Sequence, residues 1–301
     1  MLKPSLLIII GPTAAGKSEI AVKLAKKFNG EIISADSRQI YRGLNIGSGK
    51  IEGTWRNDVF MYKGVPHYLI DEVSPRGQYS VAKFQKDARK IISEIHARGK
   101  LPIICGGTAH WIDAIVYNQS LPEVKPDSKL RASLNQLTTA QLFNKLKKID
   151  PARAKDIDAK NPRRLIRAIE IVMSTGQAVP TILTTSSYHP IWLGINPGMP
   201  TLEKNIQKRL QARLKQGMTK EVTKLHKQGL SWKKLESLGL EYKFCALYLQ
   251  GKLNRDDMES QLYRAIRQYA KRQLTWWKRN QAIHWAETPK KLLSLAKTII
   301  S

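Results

Sequence analysis

The sequence predicts an α/β protein: a mainly parallel sheet flanked by helices, with a helical insertion and a helical C-terminal region. Three observations carry this. Short apolar runs alternate with helical stretches over residues 1–118. Residues 119–187 have helical periodicity and no convincing strand. One further apolar run, at 188–195, precedes an almost wholly helical remainder. Strands separated by helices imply right-handed crossovers and parallel pairing.

Residues 6–10 (Leu-Leu-Ile-Ile-Ile) form the first strand, and a glycine loop follows it directly. Ile20, Leu24 and Phe28 recur on one face of a helix over 18–28, which Gly30 is expected to stop. Strands are expected at 31–34, 67–70 and 101–105, with a helix over 81–97 closed by Arg98-Gly99. Within 119–187, Pro122, Pro126, Pro151 and Pro162 punctuate a periodicity of Leu130, Leu134, Leu137, Leu142 and Leu146. Beyond Pro200, helices are expected near 201–216, 218–228, 241–250 and 256–279. The domain reading is a discontinuous core, 1–118 with 188–301, interrupted by a helical domain at 119–187.

The chain has 301 residues, 42% of them hydrophobic and 25% charged, which suits a globular protein and excludes collagen, a coiled-coil rod or a disordered tail. Cys105 and Cys245 are too few for a disulfide framework or zinc cluster, and suit a reducing compartment. No apolar run approaches the roughly 18 residues of a membrane helix. Residues 6–10 run into a glycine loop instead of a cleavage site, so a cytoplasmic protein is expected. The net charge of +27 is uneven, at +8, +5 and +14 for residues 1–100, 101–200 and 201–301. Such an excess suits a polyanion, nucleic acid ahead of an anionic membrane.

Gly11-Pro12-Thr13-Ala14-Ala15-Gly16-Lys17-Ser18 fits the phosphate-loop pattern G-x-x-x-x-G-K-[ST] and lies between an apolar strand and a helix, where the mechanism requires it. Glycines let backbone N–H groups turn inward around an oxyanion, and the helix start adds a positive dipole end. Lys17 supplies a cation for terminal phosphates, and the Ser18 hydroxyl can ligate Mg²⁺. The loop places the sheet in the P-loop NTPase-like class and binds a polyphosphate or diphosphate. A nucleotide hydrolase would also need a strand-end acid to hold the metal's water, for which Asp71 is the one tolerable candidate.

Asp36 follows the second strand at its carboxyl end, the edge where open parallel sheets bind ligands. It is either an acceptor for a substrate proton or a cap for the following turn. Ser37, Arg38, Gln39 and Tyr41 offer hydrogen-bonding groups suited to a nucleobase, and Gly106-Gly107-Thr108 makes a second turn on the same edge.

The phosphate loop, Asp36-Ser37-Arg38-Gln39-Ile40-Tyr41-Arg42-Gly43, Ile46-Gly47-Ser48-Gly49-Lys50 and Gly106-Gly107-Thr108 together resemble the tRNA dimethylallyltransferase (tRNA isopentenyltransferase) family. Asn161-Pro162-Arg163-Arg164-Leu165-Ile166-Arg167-Ala168-Ile169-Glu170 and Ala270-Lys271-Arg272-Gln273-Leu274-Thr275-Trp276-Trp277 resemble its later motifs, so the likeness spans nearly the whole chain. The resemblance implies transfer of a dimethylallyl group from dimethylallyl diphosphate to N6 of adenosine 37, just 3′ of the tRNA anticodon, with Mg²⁺ as cofactor. It assigns proton acceptance to Asp36, with Thr108 orienting the amine or the base. Lys17, the loop amides, Thr13 and Ser18-bound Mg²⁺ would receive the departing diphosphate. A tRNA-contacting surface is implied at Asp36–Gln39, Thr108, Arg163, Arg164, Arg167, Tyr242, Lys243, Lys271, Arg272, Trp276 and Lys278, with Arg131 as a further phosphate contact. Of Trp276 and Trp277, one is expected to pack in the core.

Where many relatives carry a Gly-Tyr-[Arg/Lys] turn, this chain has Leu238-Gly239-Leu240-Glu241-Tyr242-Lys243, which puts an unexpected acid beside RNA. His67, His110 and His284 are expected to be structural or surface residues, and Cys105 to serve packing. We expect a monomer, with an anticodon stem-loop as partner and no membrane. The competing readings are a phosphate-loop kinase of a small metabolite or nucleoside, a prenyltransferase of free adenine nucleotides and a non-catalytic RNA-binding module. The first two leave the basic C-terminal third without a purpose, and the third leaves the phosphate loop without one.

Overall fold

The computed structural model describes residues 3–180 and 185–300. Elements run β1 (Ser5–Ile10), α1 (Lys17–Lys27), β2 (Gly30–Ala35), β3 (Thr54–Arg56), β4 (Val59–Tyr62), β5 (Val65–Tyr68), α2 (Val81–Ala97), β6 (Leu101–Gly106) and α3 (Ala109–Val116). Then come α4 (Ser128–Leu134), α5 (Thr139–Ile149), α6 (Pro151–Asp156) and α7 (Pro162–Thr175). The chain continues with β7 (His189–Ile195), α8 (Met199–Lys215), α9 (Met218–Lys227), α10 (Trp232–Ser237), α11 (Leu240–Leu249), α12 (Arg255–Trp277), β8 (Ile283–Ala286) and α13 (Pro289–Ile300).

The sheet order is β3-β4-β5-β2-β6-β1-β7-β8, parallel from β5 to β8, with β3 and β4 joined as an antiparallel hairpin at one edge. β1 is buried along Leu6–Ile10 and β2 along its whole length, the near-continuous apolar character of strands covered on both faces. Strand register determines where the loops leave the sheet. Ala35 stands opposite Gly106, and Ile9 opposite both Cys105 and Leu193. The segments after β1, β2 and β6 therefore emerge side by side on one edge.

The chain divides into two compact units, residues 1–116 with 186–301, and residues 117–185. The second has its own core of Leu134, Leu142, Leu146, Leu165, Ile166 and Ile169. Its helices start on side-chain caps: Asp127 for α4, a Thr138/Gln141 capping box for α5, Asp150 for α6 and Asn161 with Pro162 for α7. Among the described residues, no helix is long and apolar enough to cross a membrane.

Several local expectations are corrected. Helix α1 ends not on Gly30 but through Asn29, which takes the left-handed conformation (φ 48°), while Gly30 begins β2. The third expected strand lies at Val65–Tyr68, because Leu69 and Asp71 have positive φ and leave the ladder. The C-terminal region is almost wholly helical, as expected, but also supplies an unexpected parallel edge strand, β8, beside β7.

Candidate active site

The phosphate loop closes β1 and opens α1. Gly16 is the N-cap of α1 at φ 86°, a conformation a side chain would strain, and Ala14 also lies in the left-handed region at φ 65°. The first N–H groups of α1 have no acceptor within the helix, leaving donors available for an anion. Lys17 Nζ donates to Pro12 O at 2.8 Å. Burial brings its pKa down to about 8, with Arg209 pushing the same way, against the opposing pull of Cys105 and Asp36.

Two residues from distant helices complete the loop. Arg209 of α8 donates from Nη2 to Thr13 Oγ1 at 2.6 Å, and burial together with Arg213 lowers its pKa to about 10. Gln273 of α12, 5% exposed, accepts from Thr13 N at 2.8 Å and donates to Gly107 O at 2.9 Å. Asn205 Nδ2 donates to Ala14 O at 3.2 Å.

Asp36 occupies the neighbouring strand end. Its Oδ1 accepts from Arg38 N at 2.8 Å and Gln39 N at 3.4 Å, so one oxygen caps the turn, as half of the sequence expectation had it. Its other oxygen takes no hydrogen bond among the described residues. The carboxylate acts electrostatically on Lys17, Arg209, Lys50 and Tyr269, which places it in the field of the phosphate loop. Thr108 Oγ1 accepts from Ser37 N at 3.1 Å and so ties the turn after β6 to the turn after β2. Gln39 Nε2 donates to Gly49 O at 3.2 Å. Asp36, Thr108, Lys17 and the loop Gly11–Ser18 thus share one edge, whereas Cys105 lies buried beneath it with its thiol pushed up to about 11 by burial.

Asp71, the strand-end acid considered for a metal's water shell, is engaged by a lysine instead. It pairs with Lys50, whose side chain is 4% exposed, and its backbone N–H donates to Gln39 O at 3.1 Å. Among the described residues, no three or more His, Cys, Asp or Glu are grouped so that they could hold a metal ion. One hydroxyl, Ser18, stands at the helix start beside backbone donors. That donor set fits Mg²⁺, which retains water and takes oxygens from substrate phosphates in preference to an all-protein cage.

The tRNA-contact candidates separate by environment. Lys243, Lys271, Arg272 and Lys278 are exposed, and Arg38 and Trp276 are half-buried. Trp276 Nε1 donates to Asp113 Oδ2 at 2.8 Å, and burial raises that carboxyl to about 6. Trp277, 1% exposed, is the core tryptophan and packs against Trp192. Tyr242 is corrected: at 1% exposure it is a core residue, its hydroxyl donating to Glu221 Oε1 at 2.8 Å and accepting from Ser48 N at 3.2 Å. The periodicity of α11 turns it inward.

In the unit of residues 117–185, Arg163 and Arg164 are exposed in the first turn of α7. Arg131 and Arg167 both bind the fully buried Glu170, at 2.7 and 2.6 Å, while remaining over a third exposed. Burial opposes the Glu170 charge, but these two guanidinium groups and the Asp127 N–H hold it at about 2. His67 is buried against Val65 O, and His110 and His284 are at the surface, as expected.

A family model described as IPP transferase matches residues 39–280. The "tRNA dimethylallyltransferase 1" of Geotalea uraniireducens (strain Rf4) is 40% identical over 94% of this chain and 92% of its own length. The "tRNA dimethylallyltransferase 2" of Treponema denticola is 42% identical, covering 92% of each chain. The crystal structure of the full-length tRNA isopentenylpyrophosphate transferase of Bacillus halodurans superposes with a TM-score of 0.72 at 36% identity, over 99% of this chain and 96% of that one. A phosphate-loop kinase of small metabolites is not favoured by these likenesses.

Proposed function

This chain belongs to the IPP transferase family, and from that premise we propose that it transfers a dimethylallyl group from dimethylallyl diphosphate to N6 of adenosine 37 in tRNA, releasing diphosphate. The observation that carries the reading is the shared sheet edge: an acid with one uncommitted oxygen, Asp36, beside a cationic anion cradle of Lys17, Arg209 and the loop amides.

The exocyclic amine of adenine is a weak nucleophile, because its lone pair is delocalised into the ring. Asp36 Oδ2 accepts its proton as the C–N bond forms, an effect worth about 10²–10⁴-fold. The Arg38 and Gln39 amides fix Oδ1, so the carboxylate meets the amine in one orientation. Thr108, held by Ser37 N, borders the same turn and orients the base. On the other side, negative charge gathers on the departing diphosphate. Lys17, Arg209 and the N–H groups at the start of α1 meet it without reorganising. Ser18 would hold the Mg²⁺, which would supply further charge neutralisation of the leaving group.

The RNA is proposed to be an anticodon stem-loop. The exposed cations Lys243, Lys271, Arg272 and Lys278 support backbone contact, and in the other unit Arg163 and Arg164 do so at a helix start. Arg131 and Arg167 add charge shared with Glu170. The adenine must leave its stack to reach Asp36. The enzyme is proposed to act as a monomer in the cytoplasm, where tRNA substrates are met. Incubation with dimethylallyl diphosphate, Mg²⁺ and an unmodified stem-loop tests the reading. N6-dimethylallyladenosine and free diphosphate are expected in equal amounts, and an untouched donor would reject it.

A further inference from the structure

Gln273 takes no part in the chemistry above, yet its amide spans the two loops on which that chemistry depends. Oε1 accepts the Thr13 N–H of the phosphate loop, and Nε2 donates to the Gly107 carbonyl, one residue before Thr108. A carboxamide offers acceptor and donor on one rigid plane, and the Gln273 side chain itself is buried, at 5% exposure. Gly107 is what permits the approach, because a Cβ there would collide with Gln273 Nε2. Three residues further along α12, Trp276 Nε1 grips Asp113 on α3, the helix that the Thr108 turn leads into. The same stretch of α12 therefore holds the segment from 107 to 113 at two points. Thr108 in turn receives Ser37 N, next to Asp36.

We propose that Gln273 is a positioning residue that sets the spacing between the diphosphate loop and the Thr108 turn, and so the alignment of the leaving group with the acceptor amine; this rests on the transferase reaction proposed above. Neither bond touches a reacting atom. Losing both frees the two loops to drift independently, and misplacement of about 1 Å can cost about 10²-fold in rate.

The test combines Gln273→Leu, Thr108→Ala and the double variant, read by the kcat of stem-loop prenylation and by calorimetric titration with inorganic diphosphate and Mg²⁺. Gln273→Leu is expected to lower kcat by about 10²-fold and to weaken diphosphate binding by about fivefold, since a preformed loop binds without an ordering cost. In the Thr108→Ala background the same substitution is expected to cost less than about tenfold, because the turn it aligns no longer carries its hydroxyl. A structural role alone would reduce the active fraction by one common factor in both backgrounds. Equal fold-losses in the two backgrounds, or diphosphate affinity unchanged by Gln273→Leu, would overturn the proposal. Should Gln273→Leu fail to fold, Gln273→Met, which keeps side-chain length while removing both bonds, is judged by the same criteria. Absence of transfer by the unaltered protein would reject the transferase reading, and the diphosphate titrations would still decide whether Gln273 anchors the loop.

Discussion

Arg213 Nη1 donates to Glu241 Oε1 at 3.1 Å, with the two side chains 10% and 17% exposed, so the acid that reads in sequence as an intruder beside RNA faces into the protein. The same nitrogen donates to Gly47 O at 3.3 Å. Arg213 thus supports residues 45–50 from below. Glu221 holds them from another side, accepting the N–H groups of Asn45, Ile46 and Gly47 at 2.8–3.1 Å. Arg213 also bears on Arg209, the cation at Thr13, whose charge the Glu241 carboxylate helps to keep.

Glu241→Ala should therefore destabilise the fold. It strands the Arg213 charge in a poorly hydrated position, at a cost of about 3 kcal/mol. Chemical denaturation measures this, and pairing the change with Arg213→Met should recover most of the loss. A cost below about 1 kcal/mol would contradict the pairing.

Asp36→Asn keeps the turn cap, because the amide oxygen still accepts from Arg38 N, but removes the proton acceptor. Transfer should fall by about 10²–10⁴-fold. Stem-loop affinity, measured by anisotropy, should stay within about threefold. Parallel loss of both would make Asp36 a binding residue instead.

Lys17 gives the phosphate site a pH signature. With its pKa at about 8, the free protein loses this cation as pH rises through that value. Inorganic diphosphate should bind about tenfold more weakly at pH 9 than at pH 7 from this group alone. The sign for stability is opposite. Folding lowers the Lys17 pKa from 10.5, so its contribution to folding becomes more favourable as pH rises from about 8 towards 10.5. Titration calorimetry across pH reads the first effect, and a flat profile between pH 7 and 9 would show that Lys17 does not meet the anion.

RNA affinity should fall steeply with added salt. Replacing Lys271, Arg272 or Lys278 singly by Ala should reduce the slope of log affinity against log salt by about 1 for each phosphate the side chain neutralises. Tyr242→Phe should leave that slope unchanged while costing about 1 kcal/mol of stability through the missing bond to Glu221. A changed slope in the tyrosine variant would place it at the RNA after all.

The legible parts of this protein are those with a local physical cause. The phosphate loop shows because its glycines, lysine and serine must stand at fixed spacing. Helix α2 shows because one apolar face repeats between Ser80 and Gly99, a cap and a left-handed stop. The hairpin of β3 and β4 does not show. Its strands are three and four residues long, and β3 is fully exposed, so no buried face imposes alternation. Helix α3 is buried on most sides, which erases the helical period. Arg209 and Glu221 escape for a different reason. Each is an ordinary polar residue on its helix, and its partner lies more than 170 residues away in sequence. Gln273 stands inside the 270–277 motif, but its role does not show, because its partners Thr13 and Gly107 lie 260 and 166 residues away. Tyr242 misleads because it falls in the stretch where the resemblance implies tRNA contact, while helical geometry sends it and Lys243 in different directions.

The central claim is that Asp36 and the Lys17 cradle face one substrate pair, and a structure of the protein with an unmodified stem-loop, inorganic diphosphate and Mg²⁺ tests it most directly. The N6 amine of the extruded adenine is expected within hydrogen-bonding distance of Asp36 Oδ2, with diphosphate oxygens against Lys17 Nζ and Arg209. Adenine bound away from Asp36, or diphosphate held elsewhere than the loop Gly11–Ser18, would contradict it.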